Sequence, residues 1–111
     1  MAAQEHTGTQ TATVTTEHTL VTSTVAKTLK LYVNVGALVA GEYVELKQKR
    51  KVLTGDSTQV ITESAIFSWL DGDLTPVVSL PAMLNGVGSA VFTLKQLNGT
   101  SRDFPWAVES A

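Results

Sequence analysis

Between Lys27 and Val35 every second side chain is a large aliphatic: Leu29, Leu31, Val33 and Val35 alternate with Lys30, Tyr32 and Asn34. Period two sends the two sets to opposite sides of an extended strand, whereas a helix needs a period near 3.6. The chain nowhere offers the competing signal, an apolar stripe at helical spacing over a dozen residues. It offers seven or eight short strand-like runs separated by turn residues, with no crossover helix to support a parallel sheet. The expected fold is all-β, an antiparallel β-sandwich or jelly roll of about seven or eight strands, with an extended N-terminal arm.

The chain has 111 residues, one domain's worth. A domain of this length buries roughly two-thirds of its unfolded surface, enough for one sandwich core. There is no cysteine, so disulfides and thiolate metal sites are excluded. The formal charge of −2 lacks the basic excess of a nucleic-acid binder. Charged residues make up 16% of the chain, against roughly 25% in typical soluble domains, which suggests that part of the surface is covered by something else. No run approaches the roughly 20 apolar residues of a membrane span. The start, MAAQEHTGTQ, has no basic segment followed by an apolar one, as a secretory signal would. The expectation is a protein made in the cytoplasm that stays soluble or assembles there.

Threonine occupies positions 7, 9, 11, 13, 15, 16, 19, 22, 24 and 28. β-branching favours extended backbone, but so few large apolar groups cannot bury themselves. Residues 1–10 therefore read as an arm without a core of its own, residues 11–111 as one sandwich domain, and Thr11 to Thr24 as one or two edge strands. The arm is either a frayed terminus or an element that adds as a strand to a neighbouring subunit.

After the strand to Val35, Gly36 to Gly41 forms a short apolar connection. Glu42 to Leu53 is the longest strand candidate, with Val44, Leu46 and Val52 inward and Glu45, Lys47, Lys49 and Lys51 outward. Gln48 and Arg50 fall on its inward face, so the strand should leave the core near its middle or bend. Gly55-Asp56-Ser57 turns the chain into a return strand, Thr58 to Leu70. Its second half, Ala65 to Leu70, is apolar on both faces, as suits burial between sheets or cover by a partner. Asp71-Gly72-Asp73 is a turn, and Pro76 confines the strand Thr75 to Leu80 to an edge or a strand start. A loop, Pro81 to Gly88, leads into Ala90 to Val108. This last stretch reads as two strands joined at Asn98-Gly99, with Ala90, Phe92 and Leu94 on one face. Asn-Gly is a strong hairpin signal, although the loop from Asn98 to Asp103 is longer than a two-residue turn.

Residues able to carry chemistry are sparse. The basic tract Lys47 to Lys51 resembles a localisation or nucleic-acid signal, but alternation makes Lys47, Lys49 and Lys51 one solvated row, which also protects an exposed sheet edge or meets an acidic subunit. Asp71 and Asp73 flank Gly72 as in a calcium loop, without the further oxygen ligands. His6 and His18 have no second ligand at metal spacing and no setting that makes either a base, so neither an enzyme nor a cofactor is expected. Gly86 and Gly88 alone make no phosphate loop, and Asn98-Gly99-Thr100 is formally a glycosylation sequon. Trp69 and Trp106, with Tyr32 and Tyr43, are residue types of a platform for a sugar or base. Beside Phe67 and Phe104 at period-two positions, the two tryptophans read as core.

Val44-Glu45-Leu46-Lys47 after Gly41, Lys51 to Gly55, Phe92-Thr93-Leu94-Lys95-Gln96, Asn98-Gly99-Thr100 and Phe104-Pro105-Trp106 together resemble a group of small tailed-bacteriophage proteins encoded among the virion structural genes. The resemblance spans Lys27 to Val108 and rests on strand and turn residues. It implies a virion component and, within that group, a capsid decoration (cement) protein, a small β-sandwich that clamps neighbouring capsid subunits, often as a trimer. The implied partners are the major capsid protein and other copies of the chain, with no nucleic acid and no membrane. The implied location is the capsid surface, assembled in the host cytoplasm. Thr7, Thr9, Thr11 and Thr13 in the arm, Phe67, Trp69 and Leu70 in the apolar end, and Lys47, Lys49 and Lys51 are the candidate contacts. A tail tube or head–tail joining subunit and a carbohydrate-binding or adhesin module remain as alternatives.

Overall fold

A computed structural model describes residues 3–53, 55–56, 59–68, 76–85 and 89–110. Among them the chain forms nine strands and no helix: β1 (Ala3–Thr11), β2 (Glu17–Ser23), β3 (Thr28–Asn34), β4 (Val44–Arg50), β5 (Val60–Phe67), β6 (Val77–Ser79), β7 (Met83–Leu84), β8 (Ala90–Gln96) and β9 (Asp103–Ser110). The first sheet runs β1-β9-β3-β6, with β7 also on β3, and the second runs β2-β8-β4-β5; every pairing is antiparallel. The two-sheet sandwich expected from the alternation is what forms.

The core lies where inward-facing residues of the two sheets meet. Leu29, Leu31 and Val33 of β3 and Phe104 and Val108 of β9 face Val44 and Leu46 of β4 and Phe92 and Leu94 of β8, all essentially inaccessible. Each such side chain contributes about 1.5–3 kcal/mol through the apolar surface it removes from water. Trp106 packs half-buried against this cluster, its indole over Gly8 of β1, where an added Cβ would lie 3.0 Å from the ring. Glycine is the residue that lets the first strand approach that ring.

Four expectations need correction. First, β8 and β9 do not form a hairpin: β8 pairs with β2 and β4, whereas β9 pairs with β1 and β3 in the other sheet. The Asn98-Gly99 turn is a crossing between sheets, because positive φ at Gly99 (82°) reports backbone shape and not the partner a strand will choose. Among the described residues, β4 and β5 are the one pair of consecutive strands bonded to each other.

Second, the segment read as an arm is strand β1 from Ala3 onward, laid along β9 of its own chain from Ala3↔Ser110 to Thr11↔Asp103. Third, β4 ends at Arg50, so Val52 is 62% exposed, while Gln48 remains buried and donates from Nε2 to the Pro81 carbonyl at 3.0 Å. Fourth, β5 lies at the edge of the second sheet with Ile66 59% exposed, not between sheets. Trp69, Leu70 and the Asp71-Gly72-Asp73 turn lie outside the described residues.

The crossing from β1 to β2 holds Thr15 at φ 68°, with its N–H donating to the Gln96 carbonyl at 2.7 Å. A β-branched residue is strained there and asparagine tolerates it. Thr15→Asn is therefore expected to raise stability by about 0.5–1 kcal/mol, read as an increased urea midpoint at unchanged slope.

Candidate interaction surfaces

The two outward faces of the sandwich differ in charge. On the second sheet, Glu17 of β2, Lys95 of β8 and Glu45 of β4 stand in register, and Lys47 and Lys49 follow on β4. Lys47 Nζ lies 3.6 Å from Glu17 and 3.7 Å from Glu45, and Lys49 Nζ lies 3.4 Å from Glu17. Thr93, buried beneath them, donates its hydroxyl to Glu17 at 3.2 Å. Burial opposes the charge on Glu17, but the Lys49 charge, hydrogen bonds from Lys49 and Thr93, and Lys47 together hold its carboxyl below the ordinary range. Partly exposed pairs of this kind contribute at most about 1 kcal/mol each.

The lysine row therefore does not guard an edge. β4 is an interior strand, Lys47 and Lys49 are ion-paired within their own face, and Lys51 follows the strand's end.

On the first sheet, the outward row of β1 is Thr7, Thr9 and Thr11, standing beside Ala107, Pro105 and Asp103 of β9. Ala107 in turn stands beside Tyr32 of β3, and Tyr32 beside Ser79 of β6. The middle of this face, Thr7, Thr9, Pro105, Ala107 and Tyr32, carries no charge; Lys30 and Glu109 lie toward one end and Asp103 at the other. Thr11 donates its hydroxyl to Asp103 at 2.7 Å.

The β3–β9 ladder stops at Val33↔Trp106, so Pro105, which has no N–H to give, sits just past its end. There the sheet opens into a shallow groove of about 220 Å³ bordered by Tyr32, Asn34, Val77, Pro105 and Ala107. A smaller hollow of about 110 Å³ lies on the other side of Tyr32, and Lys30 Nζ stands 5.4 Å from the tyrosine ring centroid.

The candidate contacts read from sequence are thus separated. Thr7, Thr9 and Thr11 share the first sheet's outer face, whereas Lys47 and Lys49 lie on the opposite side of the sandwich. Thr13 is in the β1–β2 crossing, its N–H donating to His18 Nε2 at 2.8 Å, and Phe67 packs half-buried on the core at the end of β5. Pro105 and Ala107 are not singled out as contacts in the sequence, and Tyr32 enters only as part of an aromatic platform, because the β9–β3 register is what brings the three together. The aromatic platform is not assembled among the described residues: Tyr32 faces outward from the first sheet, Trp106 packs inward, and Tyr43 lies in the β3–β4 connection.

His6 Nε2 and the buried Ser23 hydroxyl, 2.9 Å apart, join β1 to β2, and no cluster of metal-ligating side chains occurs among the described residues.

One end of the sandwich is closed by a polar clasp. Glu42 is buried and accepts from the Val39 and Thr100 amides at 2.9 and 3.0 Å and from Arg102 Nε and Nη2, both at 3.0 Å. The Arg102 hydrogen bonds, then the Val39 amide, outweigh burial and lower its carboxyl to about 2. Asn98 donates to the Gly41 carbonyl at 2.8 Å and accepts from the Tyr43 amide at 2.9 Å, so the β3–β4 and β8–β9 crossings are tied to each other. Buried Gln96 holds the second crossing from within, donating to the Asn98 and Thr100 carbonyls and accepting from the Arg102 amide. Carboxylate and guanidinium satisfy each other here, leaving an architectural site and no free acid or base.

The structure defines an antiparallel β-sandwich. No protein-family model, curated protein or solved structure matches the chain.

Proposed function

We propose that this chain is a structural subunit of a tailed-bacteriophage virion, a capsid decoration protein that binds across neighbouring copies of the major capsid protein and stabilises the head. The observation that carries the reading is the asymmetry of the sandwich. One outer face has Glu17, Glu45, Lys47 and Lys49 ion-paired among themselves, while the other has an uncharged centre of threonine, proline, alanine and tyrosine beside a shallow groove. Interface centres are poor in charge and use aromatic anchors; the uncharged face of the first sheet has the first property and offers Tyr32 as an anchor, and the charged face of the second sheet has neither. Such a subunit works by covered area repeated over many lattice positions, so that weak individual contacts sum through avidity.

Mixing the purified protein with capsids that lack it should make it sediment with the particles. Thr9→Glu combined with Ala107→Glu, which places charge in the uncharged centre, should weaken that binding at least tenfold, while Lys49→Ala on the far face should leave it unchanged. Equal loss with Lys49→Ala would refute the choice of face. Absence of sedimentation with capsids would refute the decoration role, and binding to tails or connectors alone would move the protein to that part of the virion.

A further inference from the structure

We propose that β5 is a contact between two copies of this chain, the free edge of one pairing antiparallel with the free edge of the other about a two-fold axis at Ser64. This inference goes beyond the capsid reading and does not depend on it.

Among the described residues β5 pairs with β4 alone, so its other side offers eight residues of backbone without ladder partners. Natural sheets protect such edges with lysine, proline, short length, a bulge or an inward-pointing charge; β5 is eight residues long with neither lysine nor proline, and has only its bulge and the inward Glu63. It carries three large aliphatics in water instead: Val60, Ile61 and Ile66 are 50, 54 and 59% exposed. The other long edges keep theirs out of water: β1 has no large aliphatic side chain at all, and Leu20 and Val21 of β2 pack half-buried on the core.

The second copy is identified by the symmetry of the strand's own pattern. Along the outward face, Ile66, Ser64 and Ile61 stand opposite Glu45, Lys47 and Lys49 of β4. Unbroken alternation would place Thr62 third in that row. The register shift between Gln48 and Lys49 skips Thr62 and brings Ile61 to the outward face, as far along the ladder from Ser64 as Ile66 is on the other side.

A two-fold axis at Ser64 therefore sets Ile66 of each copy beside Ile61 of the other. On the inward face it sets Phe67 beside Val60 and Ala65 beside Glu63, so the one charged residue of β5 meets alanine and not its own copy. Glu45 flanks Ile66 and Lys49 flanks Ile61, so each isoleucine pair is bracketed by opposite charges from the two molecules. Isologous contacts of this kind close at two copies. A ladder this long with its aliphatic side chains buries on the order of 1,000 Å² in all, the small end of specific interfaces, so a dimer that dissociates in the micromolar range is expected.

Sedimentation equilibrium from about 1 to about 200 μM tests it. The wild type should move from the 11.8 kDa protomer to a dimer of twice that mass. Ile61→Lys with Ile66→Lys should weaken dimerisation at least tenfold; both side chains are more than half exposed, so the melting temperature should hold. Ile61→Glu with Ile66→Lys puts opposite charges at each ladder position and should restore the dimer, in a salt-sensitive form.

A wild type that stays monomeric, or forms the trimer that the phage resemblance implies, overturns the proposal. So does a dimer that survives the double lysine variant, or a Glu/Lys variant no tighter than that one. Capsid co-sedimentation is a separate measurement, so failure here and failure of the decoration role are told apart.

Discussion

Gly99→Ala is expected to lower stability by about 3 kcal/mol or more, the largest effect of a methyl group added at any described glycine. Two causes add. Gly99 has φ 82°, a left-handed conformation in which a side chain is strained by about 1 kcal/mol. An added Cβ would also collide with Glu42 Oε2, so the carboxylate must leave the position in which it accepts from Thr100 and Arg102. Gly41 separates the causes. Its φ is 88°, yet nothing lies within 4 Å of an added Cβ, so Gly41→Ala should cost only about 1 kcal/mol. Urea denaturation of the two variants side by side checks this, and equal losses would show that backbone strain alone matters.

The second large effect is removal of the Glu42 charge. Glu42→Gln should destabilise by about 2–3 kcal/mol at neutral pH; breaking a fully buried pair costs about 3–5 kcal/mol, and the Arg102 side chain retains 28% of its exposure. The loss should also depend on pH. Folding lowers the Glu42 carboxyl from 4.5 to about 2, so the folded state favours the ionised form. That contribution is fully present above the unfolded value, near pH 4.5, and disappears as pH falls through about 2. The wild type should lose stability over this range and the variant should lack that component, so their stabilities converge as the solution is acidified. Denaturation at pH 7, 4 and 3 reads the difference. A gap that stays constant across these pH values would mean that Glu42 acts through shape alone. The two sites should be strongly non-additive, since Gly99→Ala displaces the group that Glu42→Gln neutralises.

The strand content was legible because alternation is a local property. Leu29, Leu31 and Val33 lie inward as their spacing requires, and Pro76 adjoins an edge strand. What could not be read is pairing. Asn98-Gly99 correctly marks a positive φ, but the clasp built from Glu42, Gln96 and Arg102 steers that turn across the sandwich. Threonines at alternate positions announce an extended segment without announcing β9 as its neighbour, because the partner lies at the other end of the chain. Burial of Ile66 between sheets, one of its two alternatives, failed for a related reason: a hydrophobic side chain on a strand looks the same in sequence whether it meets the core or water. Ile61 reaches the outward face through a bulge that no local residue announces. The candidate surfaces were therefore only partly readable. The threonine row was found, while Tyr32, Pro105 and Ala107 became a face only once register was known.

The pairing of Ala3 with Ser110 also sets an order of events. Of the described strands the earliest in the chain is completed by the latest, and most strands between them wait for partners distant in sequence. Among the described strands only the β4–β5 hairpin joins neighbours in sequence and can close early, and its edge carries exposed aliphatic side chains. Newly made chains thus spend their synthesis with that hairpin as their most structured part. Contact between unfinished copies would therefore begin at that hairpin's edge.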